Sequence, residues 1–352
     1  MRRLLVQRRH WVDEAQFFEM FAACQLIPGP SSTELAILLG YRRAGWPGLL
    51  VGGVCFIAPA MALMLLIAAL YQHFGSSATA QRVLAGVTPV VVGIVLWAVT
   101  DLGLRLLRAW DAALLFAAVA AVAVFVNQPI ALLAAGGLVL AALRWARSRP
   151  ASNAAPSGAA APVVVAAGTT PGGGSSVAVA MPGLLAIFAT FLKLGAVAFG
   201  SGYVLLALLH SEFVVGLHWL TDRQVVDAVA ISQATPGPVF TTATFIGFLL
   251  GGVGGGLVAT AGIFLPGFAL VPLLDQIRQL VRRRRLVREA LTGVNVAALG
   301  LIVAVAVALA RASFSGPIPV VTAAVTLAVL LRWPLASPAL VVAGALVGGF
   351  LG

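Results

Sequence analysis

Charge is what this sequence has least of. Only 9% of its 352 residues are Asp, Glu, Lys or Arg, against roughly 25% in a soluble domain. That excludes a polar, water-facing exterior. Cysteine is nearly absent as well. Cys24 and Cys55 both lie in apolar stretches, so neither a disulfide framework nor a thiolate metal site is written here. His10, His73, His210 and His218 are scattered near segment ends without ligand spacing, which leaves no metal centre or acid–base cluster to support an enzyme. No cofactor is expected. No phosphate-binding P-loop occurs, so ATP does not supply the energy. The start, MRRLLVQRRHWVDEAQFFEM, is basic, but Asp13, Glu14 and Glu19 interrupt any apolar core after it. It is not a signal peptide.

What stands in place of charge is apolar helix. Hydrophobic residues make up 61% of the chain, and the runs 49–70 and 253–274 carry no charge at all. About 20 such residues, at ~1.5 Å rise each, cross a hydrocarbon core of roughly 30 Å. The fold class is an all-α polytopic, multi-pass membrane protein, with the lipid bilayer as its surroundings. The net charge of +11 sits largely as arginines in short loops, the pattern of cytoplasmic loops. No nucleic-acid partner is expected.

The chain repeats itself. Gln25, Pro28, Gly29 and Pro30 fall on Gln233, Pro236, Gly237 and Pro238 at an offset of 208, and Trp11 falls on Trp219. After a one-residue gap the offset is 207, and Gly45, Gly48 and Pro59 fall on Gly252, Gly255 and Pro266. GVTPVVVG (86–93) then falls on GVNVAALG (293–300). Between the copies, residues 150–180 are rich in Ala, Pro, Gly and Ser, a flexible linker. The expected division is an N-terminal repeat at 1–149, a linker at 150–181 and a C-terminal repeat at 182–352. The second copy has an apolar span, 184–209, with no counterpart in the first, whose first helix is missing. Met1 is expected to be an internal methionine of a longer chain, the alternative being a true loss of that helix.

Loop charges reverse between copies. MRRLLVQRRH has four arginines and its partner LLHSEFVVGLH none; YQHFGSSATAQR has one and RQLVRRRRLVR six. Basic loops mark the cytoplasm, so the repeats are inverted, a plan shared by many secondary transporters. Each copy is expected to hold a re-entrant helical hairpin, 13–41 in the first, broken at Pro-Gly-Pro. Spans at 46–70 and 83–104 follow, then shorter segments at 112–126 and 129–145.

Proline removes a backbone donor and glycine permits a turn. Irregular backbone at membrane depth is tolerated where protein covers it or where it lines a wet cavity. Two such breaks related by inversion should meet near the midplane. New half-helices then begin at Ser31 and Val239, with free N–H groups and a positive dipole end. Ser31, Ser32, Thr33, Thr241, Thr242 and Thr244 add hydroxyls, and Gln25 and Gln233 add amides. The assembly suits a small oxyanion. AFGSGY (198–203) offers a second bare backbone, for a ligand or for close packing. Lys193 lies within a span, either to attract an anion or to snorkel to the interface. Glu34, one turn past the first break, could carry a proton or pair with Arg42 or Arg43. Glu19 and Asp227 could face the cavity, and Asp101 should pair with Arg105 at i+4.

The repeated QxxPGP, the AFGSGY segment and LGYRRAGWPGLLVGGVCFIAPA (39–60) together resemble the chromate ion transporter family, over nearly the whole chain except the linker. The resemblance implies a cytoplasmic (inner) membrane protein of two oppositely oriented homologous halves that exports chromate, a tetrahedral dianion, and so confers resistance. It implies a substrate site drawing on Gln25, Pro28, Gly29, Pro30, Phe199, Gly200, Gly202, Gln233, Pro236, Gly237 and Pro238. Two departures stand out. The Phe-Gly-Gly-Pro helix that normally opens the first copy is absent, and Ser201 replaces a glycine. Sulfate or another small oxyanion is an alternative cargo, and a non-transporting membrane scaffold is a second alternative. A homodimer is an assembly the sequence leaves open.

Overall fold

The computed structural model describes residues 3–8, 11–75, 77–123, 125–126, 128–148, 182–199, 204–235, 237–313, 316–333 and 337–351. The linker lies outside them. The described residues are helical throughout their ordered elements. The first half contains α1 (Glu14–Cys24), α2 (Ser31–Phe74), α3 (Ala78–Leu106), α4 (Trp110–Ala123) and α5 (Pro129–Ser148). The second contains α6 (Leu184–Val197), α7 (Val204–Leu209), α8 (Asp222–Ala234), α9 (Thr242–Leu270), α10 (Leu274–Arg283), α11 (Arg285–Ser313), α12 (Pro317–Arg332) and α13 (Ser337–Leu351). Among the described residues, five stretches are long and apolar enough to cross a membrane: Ser31–Phe74, Ala78–Leu106, Pro129–Arg147, Val239–Arg283 and Arg285–Ala308. The expected span 184–209 is not one helix: α6 stops at Val197 and α7 starts at Val204, because the glycine-rich segment interrupts it.

The two halves share local devices at the offsets read from the sequence. α1 and α8 both start with reciprocal caps. Asp13 Oδ1 accepts from Gln16 N at 2.7 Å while Gln16 Oε1 accepts from Asp13 N at 3.2 Å. Thr221 Oγ1 accepts from Gln224 N at 3.3 Å while Gln224 Oε1 accepts from Thr221 N at 2.9 Å. Each cap satisfies two otherwise orphaned donors. α2 and α9 both double back. The turn in α2 is at Ala44–Gly45, with Gly45 at φ +61°, and that in α9 is at Gly251–Gly252, with Gly252 at φ +60°. The reversal is read from the glycines flanking it. A Cβ on Gly40 would strike the carbonyl oxygen of Gly48, and one on Gly48 that of Gly40; Gly247 and Gly255 do the same in the second half. Eight residues of straight helix would hold such pairs ~12 Å apart. The chain therefore runs 31–43, turns, and returns as 46–74 in backbone contact with itself.

The long helices cross between the halves. α3 packs against α12 and α13, and α11 packs against α4 and α5. Small residues allow it: Gly86 meets the backbone of Gly344 and Gly348, and its counterpart Gly293 meets that of Gly136 and Gly137. A charged clasp reinforces the α4–α5–α11 contact. Arg144 donates from Nε to Asp111 Oδ2 at 2.8 Å and from Nη1 to Glu289 Oε2 at 2.6 Å. Arg147 lies over the Trp110 ring, 4.1 Å from its centroid. α2 also packs on α9 across the halves, while α6 packs on α9 within the second half; apart from that pair, the most extensive helix contacts join one half to the other.

Candidate functional site

The first break runs from Gln25 to Pro30. Gly29 adopts φ +130°, a region side chains disfavour. Its N–H donates to the Ala198 carbonyl at 2.9 Å, which ties the first-half break to the glycine-rich segment of the second half. The Pro30 carbonyl accepts from Thr33 N at 2.8 Å and Glu34 N at 3.3 Å, starting the new helix. In the second break Gly237 has φ +157°, and a Cβ there would run into Ala60 of α2. Thr241 and Thr242 turn their hydroxyls back onto the Pro238 and Val239 carbonyls at 2.8 and 2.6 Å.

Both breaks border one cavity of about 470 Å³, to which Gln25, Pro30, Ser31, Ser32, Phe199, Gly237 and Pro238 contribute. That volume falls in the range of roughly 300–1,000 Å³ common for small-ligand sites. The remaining wall comes largely from α3 and α11. Leu102, Arg105 and Leu106 form one face of α3; Asn295, Ala298 and Leu299 form one face of α11. Both sets follow the i, i+3, i+4 spacing of a single helical stripe. Arg105 is the one cation among the described lining residues. It donates from Nη2 to Asp101 Oδ1 at 3.0 Å, the pair expected from the spacing, and its side chain is 72% exposed. It is free to turn toward an incoming anion. One guanidinium, two hydroxyls and two carboxamides then converge on a space walled otherwise by apolar groups and proline, a donor set for a compact oxyanion.

Several expected residues lie elsewhere. Pro28 and Gly29 are buried outside the cavity lining. Gln233 is half-buried on α8 away from it, and the Thr241 hydroxyl is committed to Pro238. Gly200, Gly202 and Pro236 lie outside the described residues. Lys193 does not reach the cavity: its ammonium is held by Glu212 on an exposed face. Glu19 is bound by Arg278, and Asp227 accepts from the Tyr71 hydroxyl at 2.7 Å, so neither lines the cavity. Glu34 finds no arginine. Arg42 pairs with Asp275 at 3.5 Å, and Arg43 lies over Trp11.

Two lining residues were not anticipated as site residues. Arg105 looked spent on Asp101, although it shares a helical face with Leu102 and Leu106. Asn295 is the one carboxamide in the long apolar run of α11, a signal that was available.

Helices broken inside an apolar bundle, around a cavity furnished with donors, define a membrane transport protein. The chain belongs to the chromate transporter family: the family model "Chromate transporter" matches residues 1–141 and 185–350. It is similar to the chromate transport protein of Cupriavidus metallidurans, 33% identical over 100% of this chain and 86% of that one. The chromate transport protein of Pseudomonas aeruginosa is 31% identical over 88% and 75%. A probable chromate transport protein of Synechococcus elongatus is 29% identical over 89% and 79%. No solved structure is a significant match. Family membership supports a role in chromate transport.

Proposed function

We propose that the chain exports chromate from the cytoplasm as a secondary transporter and so confers chromate resistance. The observation that carries this reading is the convergence of both Pro-Gly-Pro breaks and Arg105 on one cavity. Arg105 supplies charge for the dianion. Ser31 and Ser32 supply hydroxyl donors at the start of α2, where the helix dipole is positive. Gln25 and Asn295 supply amide donors. Pro30 and Pro238 hold the irregular backbone open at the cavity edge, since neither can continue a helix from its N–H.

The repeats at 1–149 and 182–352 are inverted in this reading, which the reversal of arginine between matching loops supports. The α3 end bearing Arg105, with Arg108 just beyond it, and the arginine run 282–285 are then both cytoplasmic. The cavity, which reaches Arg105, collects its cargo from that side. An inside-negative potential favours outward movement of a dianion by roughly 4–5 kcal/mol per 100 mV, at about 2.3 per charge. No ATP is needed.

The test is flux of labelled chromate into inverted membrane vesicles with the potential and the pH gradient set separately. Potential-driven uptake is expected, with Gln25→Ala reducing it at least about fivefold while the protein inserts normally. Absence of uptake by the wild-type chain sinks the reading. Sulfate, with the same shape and charge, is the second cargo the donor set accommodates. Competition by unlabelled sulfate in the same vesicles separates the two.

A further inference from the structure

One buried group has no place in the anion cavity. Glu34, one turn into α2, is 1% exposed, and neither of its carboxyl oxygens has a hydrogen-bond partner. The hydroxyl of neighbouring Thr33 is likewise buried and unpartnered. Glu34 lies against the break itself. A side chain at Gly29 would strike its Oε1, and its Cγ is 3.8 Å from the position of a Cβ on Gly267 of α9.

The titratable groups on the surrounding elements are otherwise engaged. On α1, Cys24 is a buried thiol, and Glu19 is bound by Arg278 of α10. On α10, Asp275 is paired with Arg42 of α2 at 3.5 Å. α9 contains no ionisable residue over Thr242–Leu270. Among the described residues, no cation therefore compensates Glu34. A bare carboxylate in this setting carries the full desolvation penalty, whereas the acid does not. Ionisable residues placed so inside a membrane bundle mark ion or proton pathways. The second half has no equivalent. At the matching offset stand Thr241 and Thr242, and both hydroxyls are satisfied by backbone carbonyls. The feature belongs to one repeat only.

We propose that Glu34 is a proton-binding site, separate from the anion cavity but sharing its wall, and that its proton is linked to the anion. The step is carboxylate plus proton giving carboxylic acid. Protonation removes a negative charge from behind Gly29 and Pro30, the edge at which the anion is held. Proton and anion therefore bind with positive linkage, and each raises the affinity for the other by the same factor. The linkage rests on the anion-carrier reading; the proton site does not.

Two measurements on the full chain in proteoliposomes test this. The first is labelling by a membrane-soluble carbodiimide, which attacks protonated buried carboxyls, read by mass spectrometry. Residue 34 is expected to be labelled, and less so as pH rises. Absent or pH-independent labelling overturns the proton site. The second is the half-saturating concentration of chromate, expressed as the dianion, in counterflow across pH. It is expected to rise at least about tenfold with pH in the wild type and to stay flat in Glu34→Gln, which imitates the acid. A flat wild-type profile, a slope retained in Glu34→Gln, or dependence on a sodium gradient instead overturns the linkage. Failure of wild-type counterflow at every pH would instead remove the carrier reading and leave the labelling result standing. Should Glu34→Gln not fold, the wild-type labelling and profile still decide.

Discussion

Arg105 and Gly45 show how differently single residues serve this molecule. Arg105 contributes charge at a cavity edge, held by Asp101 at 3.0 Å when nothing else is there. An exposed pair of this kind is worth little in stability, so its loss should be felt in transport. Arg105→Gln is expected to raise the half-saturating chromate concentration about tenfold or more with little change in thermal unfolding; Arg105→Lys restores part of it. An unchanged value would remove Arg105 from the site. Gly45 contributes backbone freedom alone. A Cβ there meets nothing within 4 Å, yet φ is +61° and ψ −142°, a combination reserved almost wholly for glycine. Gly45→Ala should therefore destabilise the detergent-solubilised protein by roughly 1–3 kcal/mol without any steric clash. A neutral result would show that the turn tolerates an L side chain.

At the scale of elements, the broken helices were legible because proline and glycine act locally. The Pro-Gly-Pro breaks and the spans after them follow from residue type and periodicity, whereas the caps at Asp13 and Thr221 emerge only from the structure. The break after Val197 is legible as AFGSGY, although its largely apolar flanks read as one span. The Arg144 clasp was not legible. Asp111, Arg144 and Glu289 are far apart in sequence, and no local pattern announces a pairing made only by packing. Its contribution is testable. Arg144→Ala takes from Asp111 and Glu289, both largely buried, their shared partner, leaving Arg147 at 3.6 Å from the first and Arg285 and Arg288 at 3.9 and 3.8 Å from the second. A loss of about 2 kcal/mol is expected for the charged hydrogen bonds removed, read as a lower unfolding temperature in detergent that high salt does not reproduce. A shift below about 1 kcal/mol would place the clasp in contact with water.

At the scale of the whole molecule, the exchange of helices between halves is the main organising fact. Repetition was readable as an offset, and loop charge suggested inversion. Neither says that α3 is embraced by α12 and α13, or α11 by α4 and α5, since the contacts depend on shape at Gly86 and Gly293. The consequence is mutual dependence. With the chain cut within 150–181 and the pieces co-expressed, they should co-purify as one particle, whereas residues 1–149 expressed alone should be degraded or aggregate. A stable, monodisperse N-terminal piece would contradict this interdependence.

The hydrogen bond from Gly29 to the Ala198 carbonyl is small but oddly placed, joining the two halves at the rim of the cavity. The tight glycine hairpins on either side lie backbone on backbone. A carrier that exposes its cargo to alternate sides has to yield somewhere, and this single amide contact is a cheap place to do so, at about 1 kcal/mol. In the carrier proposed above, thermal agitation alone can unfasten such a latch.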